Sequence, residues 1–93
     1  MEYKVLRHQM QDTVGIVIEP VFDGQNVSVK DITGQSAERI DVKSDIPLFH
    51  KIALKSMKKK ELVIEYGQVI GEAVEDISCG EYVHIHNIKT RKW

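Results

Sequence analysis

Short runs rich in β-branched residues recur along the chain about every eight to twelve residues, each closed by a glycine, a proline or a polar pair. Helical periodicity is absent, so the pattern predicts a small all-β domain. Val14, Ile16 and Ile18 alternate with Gly15, Val17 and Glu19 up to Pro20, which has no amide hydrogen to give a ladder. After the turn pair Asp23-Gly24, Val27 and Val29 alternate with Ser28 and Lys30, and the two runs are expected to pair as a hairpin. Thr33-Gly34 turns the chain again. Ala37, Ile40, Val42 and Ile46 fit a short strand or an irregular segment, with Ile46 held extended before Pro47. From Phe49 onward Ile52 and Leu54 stand against Lys51 and Lys55. Leu62, Val63 and Ile64 form an apolar run ending at Tyr66-Gly67, with Tyr66 expected at the core edge, and Val69-Ile70 ends at Gly71. Val83 and Ile85 alternate with His84 and His86, which predicts a last strand with both histidines on one face and Asn87 at its end. The only helical features expected are single 3₁₀ turns around Ser56 to Lys59 or Glu75 to Cys79.

The second half repeats itself. Ala53, Met57, Glu61 and Val63 match Ala73, Ile77, Glu81 and Val83, with Lys60 standing where Gly80 stands in the later copy. Two copies are too few for a solenoid and predict a pseudo-two-fold pair of hairpins around one core.

Composition narrows the function classes. A chain of 93 residues makes one domain, residues 1–93, with no room for a large enclosed active site. A formal net charge of −1 provides no field to draw in nucleic acid or an anionic membrane. The basic run Lys55, Lys58, Lys59 and Lys60 is followed at once by Glu61 and Glu65 and fits a solvated turn. No apolar run approaches the ~20 residues needed to span a bilayer. The single cysteine, Cys79, excludes an internal disulfide, and no hydrophobic signal segment opens the chain, so a cytoplasmic location is expected. Cys79 lies between Ser78 and Gly80 in a predicted turn, and no sequence neighbour lowers its pKa. The glycines permit turns or close backbone approach, since no glycine-rich loop opens a helix.

Four motifs in order carry a family likeness: His50-Lys51-Ile52-Ala53-Leu54; Tyr66-Gly67 followed by Ile70-Gly71 and Ala73; Asp76-Ile77 followed by Gly80-Glu81; and Val83-His84-x-His86-Asn87. Together they resemble the small domain of the altronate and galactarate dehydratases, over about Val14 to Arg91 and most strongly from His50 to Asn87. The resemblance implies a SAF-like β-clip, a small barrel-like all-β fold. It also implies either the small subunit of a sugar-acid or hydroxy-acid lyase, as in sulfolactate sulfo-lyase, or the equivalent domain of a longer chain; the start at Met1 favours the separate subunit. The chemistry implied is β-elimination of water or sulfite, assisted by a divalent metal, iron(II), held mainly by a large catalytic partner subunit. Two positions depart from the family pattern: Phe49 and Lys60 stand where glycine is usual, and both accept left-handed backbone angles less easily than glycine.

Elimination beside a carboxylate needs a base for the α-proton, an acid for the leaving group and a cation for the enolate-like charge. Histidine suits the first two roles because its ordinary pKa, about 6.5, lies close to neutrality. By the resemblance His50 is the candidate catalytic group. Lys51 is a candidate for the substrate carboxylate, and His84, His86 and Asn87 are candidates for binding the hydroxylated chain. A His-x-His pair alone lacks the third protein ligand of a complete metal site, so no metal is assigned to this chain. The competing reading is a stand-alone module that binds carbohydrate or a partner protein without catalysis. In it His84 and His86 are exposed-face residues, His50 is hydrogen-bonded to a neighbouring turn, and Lys51 is a solvated strand residue.

Overall fold

The expected alternation is realised as nine short strands in a computed structural model that describes residues 3–32 and 37–90. They are β1 (Val5–Arg7), β2 (Val14–Val17), β3 (Asn26–Asp31), β4 (Ala37–Asp41), β5 (Lys51–Ala53), β6 (Leu62–Glu65), β7 (Gln68–Ala73), β8 (Tyr82–Val83) and β9 (Ile88–Lys89). One sheet runs β4-β3-β1-β2-β5-β8 and a second runs β6-β7-β9. The fold is all-β, as the sequence predicts. Among the described residues there is no helix and no 3₁₀ turn, which corrects the helical turns expected near Ser56 and Glu75. The turn read at Thr33-Gly34 and the terminal residues Arg91 and Trp93 lie outside the described residues.

The hairpin expected between β2 and β3 does not form. β1 lies between them, antiparallel to β2 (Val5 opposite Val17) and parallel to β3 (Val5 opposite Val29). The phase within β2 also differs from simple alternation. Val14 and Val17 are fully buried while Ile16 is only partly so. An odd separation puts Val14 and Val17 on opposite faces of the strand, and each face meets a different core. Val17 joins Val5, Val21, Val27, Val29, Val42, Ile46 and Ile52 in one cluster, whereas Val14 joins Ala53, Met57, Val63, Ala73, Ile77 and Val83 in the other.

Those two cores belong to two copies of one device. The predicted repeat is visible as an exchange: Met57 and Ile77 form a bridge, each donating its N–H to the other's carbonyl at 2.7 and 2.8 Å. Lys60 N–H donates to Ala73 and Ala73 N–H to Glu61, while Gly80 N–H donates to Ala53 and Ala53 N–H to Glu81. The same exchange occurs in the first half, at an offset the sequence comparison did not reveal. Val21 and Ile46 form the bridge, Gly24 and Val42 N–H groups reach Val42 and Gln25, and Phe49 and Val17 N–H groups reach Val17 and His50. The domain is thus two clips, each made of two interlocked turns, rather than one pair of hairpins around one core.

Each turn has the same plan: a buried apolar anchor (Val21, Ile46, Met57 or Ile77), then a residue with positive φ three positions on (Gly24, Phe49, Lys60 or Gly80). Phe49 at φ 68° and Lys60 at φ 78° therefore adopt the left-handed geometry that glycine holds in the other two turns. Their departure from glycine leaves the backbone path intact.

Candidate functional site

The four turns differ in what their fifth residue does. In three of them its side chain accepts the N–H of the turn's second residue: Gln25 from Phe22 at 2.9 Å, Glu61 from Lys58 at 3.1 Å and Glu81 from Ser78 at 2.5 Å. In the fourth the second residue is Pro47, which has no N–H to satisfy, and the fifth is His50. The imidazole is thereby released from the turn. Its Nδ1 is instead hydrogen-bonded to the Tyr82 hydroxyl, and among the described residues its Nε2 has no hydrogen-bond partner.

Tyr82 is within reach because β5 and β8 are neighbours, with Ile52 opposite Tyr82 and Lys51 opposite Val83. This pairing joins the second turn of one clip to the second turn of the other. Around it the rings gather: His50 and His84 lie 5.2 Å apart between centroids, His50 and Tyr82 5.5 Å, Tyr82 and His84 5.5 Å with planes 14° apart, and Tyr82 and His86 5.7 Å. The structure thus brings His50, His84 and His86 together, with Tyr82 at the centre.

They are not held by the strand that the sequence predicted. β8 ends at Val83, and His84 to Asn87 form a tight turn in which the carbonyl of His84 accepts the N–H groups of Asn87 and Ile88, both at 3.1 Å. Ile85, expected beside Val83 on the apolar face opposite the histidines, is 83% exposed at the tip of this turn. The reason is Asn87, whose buried side chain accepts the His84 N–H at 2.9 Å and donates to the Tyr82 carbonyl at 2.7 Å. A side chain that offers the backbone these bonds competes with a continued ladder. Asn87 is placed as the residue that shapes the turn carrying both histidines.

Lys51 points into a groove with two compartments. One, of about 180 Å³, is lined by Phe49, His50, Lys51, Val83 and His84. The other, of about 300 Å³, shares Lys51, Val83 and His84 and extends to Glu65, Ile70 and Ile85. The Lys51 Nζ lies 3.8 Å from Glu65 Oε1, within ion-pair range but beyond hydrogen-bonding distance. Burial pushes the Glu65 carboxyl above its ordinary value, and the nearby Asp12 adds to this, against the opposing charges of Lys51 and His8. Exposed apolar side chains, Phe49 at 68% and Ile85, stand at the groove's rim.

The sequence reading did not single out Tyr82, and it placed Glu65 in a solvated turn with the basic run, whereas Glu65 is the buried last residue of β6. Tyr82 stands two residues before His84, the spacing that had drawn attention to His84 and His86. Glu65 stands two residues after the buried Val63, at an inward position of β6, where the expected apolar run Leu62-Val63-Ile64 alternates with Leu62 exposed. Tyr66 is exposed and stacked on His8, away from the core edge where it was expected. Among the described residues no group of three or more His, Cys, Asp or Glu side chains is arranged to hold a metal ion, so the donors here do not fit a divalent-metal site. Burial raises the Cys79 thiol above its ordinary value, and its Sγ donates to the Leu54 carbonyl.

Residues 3–91 match the model of the altronate/galactarate dehydratase SAF domain. The chain belongs to that family. It is 38% identical over 87 residues to the (2R)-sulfolactate sulfo-lyase subunit alpha of Chromohalobacter salexigens, covering 92% of this chain and 93% of that subunit. The corresponding subunit of Paracoccus pantotrophus is 47% identical over 55 residues, 59% of this chain and 82% of that one. The altronate dehydratase of Bacillus subtilis is 39% identical over 80 residues, 86% of this chain but only 15% of the enzyme's length. The SAF chain is therefore related both to a separate subunit of a lyase and to a small part of a much longer dehydratase.

Proposed function

We propose that this SAF chain is the small subunit of a hydroxy-acid lyase and lies over the active site of a large catalytic partner. The observation that carries the reading is the match over nearly the whole length of a sulfo-lyase subunit alpha, a kind of chain that works with another subunit. The released His50 supports a role for this chain in the substrate pocket. Three equivalent turns engage the fifth side chain in capping, while the fourth combines a proline with a histidine directed at a groove.

In this reading Lys51 meets the substrate carboxylate as a charge-assisted donor. His50, with Nδ1 held by Tyr82, presents Nε2 for proton transfer to or from the hydroxy acid, which is the step that general acid–base catalysis requires in an elimination. His84 and His86 face the hydroxylated chain from the turn that Asn87 shapes. The partner covers Phe49 and Ile85, which removes exposed apolar surface and closes the groove to water. A divalent metal, iron(II) by the family resemblance, would belong to the large subunit, and a cytoplasmic location remains part of the proposal. The leaving group is water from a sugar acid or sulfite from sulfolactate.

Co-purification of the tagged chain with the products of neighbouring genes, followed by elimination assays on (2R)-sulfolactate and altronate with iron(II), tests the proposal. A large partner with activity that needs both chains is expected. His50→Ala should lower that activity at least about a hundredfold while leaving assembly intact. A chain that purifies alone and remains inactive with every neighbouring product would overturn the subunit reading in favour of a binding module.

A further inference from the structure

Glu65 is the one described side chain with a buried oxygen that lacks a hydrogen-bond partner. It faces inward on β6 beside Val63, its side chain is nine-tenths buried, and it lines the larger compartment of the groove. A carboxyl left this way costs stability unless something else completes its bonding. The backbone around it is fixed rather than loose. The two-residue turn Tyr66-Gly67 has positive φ at both positions, as the tight hairpin turn requires, and the buried Asp12 accepts the N–H groups of both at 3.1 and 2.8 Å. Glu65 is thus held in place with unused bonding capacity.

Its neighbour has unused capacity too. At 3.8 Å the Lys51 ammonium attracts Glu65 without forming a hydrogen bond to it, so a cationic donor and a carboxylate acceptor stand side by side at the wall of one cavity. That arrangement is the complement of an α-hydroxy acid, which carries an anionic acceptor and a hydroxyl donor on adjacent carbons. We propose that Glu65 is a binding residue of this groove, accepting a hydrogen bond from the α-hydroxyl of a hydroxy acid whose carboxylate rests on Lys51. The inference builds on the pocket assigned under the proposed function and adds the group that recognises the hydroxyl. Rotation about the terminal torsion exchanges the two carboxylate oxygens, so one stays in the buried position and the other, on the Lys51 side, is the acceptor offered to the ligand. The other titratable groups near Glu65 are His8 and Asp12, and neither lines the cavity, which leaves Lys51 as the cation on its wall.

The test is a titration of the full chain, isotopically labelled and followed by NMR, with (2R)-sulfolactate and with 3-sulfopropanoate, the same acid without the hydroxyl. Wild-type chain should bind sulfolactate about tenfold more tightly, as a hydrogen bond to a charged group predicts. Glu65→Leu should bring the two acids within about twofold of one another, and Glu65→Gln, whose amide oxygen still accepts, should keep most of the preference. Because Glu65→Leu alters a buried position, a second readout uses wild-type protein alone: the Glu65 carboxyl carbon should shift with sulfolactate and not with 3-sulfopropanoate. Shifts at His50, Lys51 and His84 with no response at Glu65, or an unchanged preference in folded Glu65→Leu, would overturn the assignment of Glu65 and leave the pocket standing. Absence of shifts at all four residues with either acid would overturn the pocket and this inference together.

Discussion

The turn at Met57–Glu61 and the turn at Ile46–His50 follow the same backbone path and do different work. Each has a buried anchor, a left-handed fourth residue and a pair of exchanged backbone bonds to the other half of its clip. In the first, Glu61 caps the N–H of Lys58, so the side chain completes the turn. In the second, proline removes the N–H and with it the need for a cap, and His50 turns instead to Tyr82 and the groove. Backbone bonding alone therefore suffices to form the turn, and the fifth side chain can be reassigned to chemistry.

The largest expected effect separates the turns by their surroundings. A Cβ on Gly80 would lie 1.9 Å from the Asp41 carbonyl oxygen, whereas one on Gly24, at nearly the same φ, would meet nothing within 4 Å. Gly80→Ala should lower unfolding stability by about 3 kcal/mol, from overlap added to left-handed strain. Gly24→Ala should lose only about 1 kcal/mol, the strain alone. Urea unfolding of the two variants measures this; equal losses would mean that packing against the other clip is unimportant.

A smaller effect tests the cap itself. Glu61→Ala should cost about 1 kcal/mol, because the Lys58 N–H loses its acceptor, while His50→Ala should cost about 0.5 kcal/mol or less, because no turn N–H depends on it. If His50→Ala proved the more damaging of the two in denaturant titrations, the release of His50 from structural duty would be wrong.

The smallest effect concerns Glu65 and has a pH signature. Burial raises its carboxyl above the ordinary 4.5, so the folded chain binds this proton more tightly than the unfolded chain. The stability from that proton is fully present below about pH 4.5 and is lost as the pH rises through the folded value. Glu65→Gln avoids the loss. It should be more stable than wild type by about 0.5–1 kcal/mol at pH 7 and nearly equal to it at pH 4, in thermal or urea unfolding at the two pH values.

Much of the candidate site was legible in the linear motifs. His50-Lys51 and His84-x-His86 stand in register with a known family, and the structure sets His50, Lys51 and His84 around one groove, with His86 beside Tyr82 and outside the lining. Tyr82 and Glu65 were not legible as site residues. A tyrosine beside a strand end and a glutamate after an apolar run are ordinary in sequence, and only the pairing of β5 with β8 and the inward phase of β6 give them their place. The first clip was also missed, because its two turns share no residue at the fourth or fifth position: Gly24-Gln25 corresponds to Phe49-His50.

By itself the sequence determined the all-β class, the turns at Asp23-Gly24 and Tyr66-Gly67, and the family, because period-two alternation and glycine act locally and the motifs keep their spacing. The tertiary structure decided which strands are neighbours, that two clips hold two cores, and that the last strand ends at Val83 so that Asn87 can fold the histidines over Tyr82. Strand pairing and side-chain capping depend on partners distant in the chain. Neighbouring residues alone do not specify where Val42 meets Gly24 or where His50 meets Tyr82.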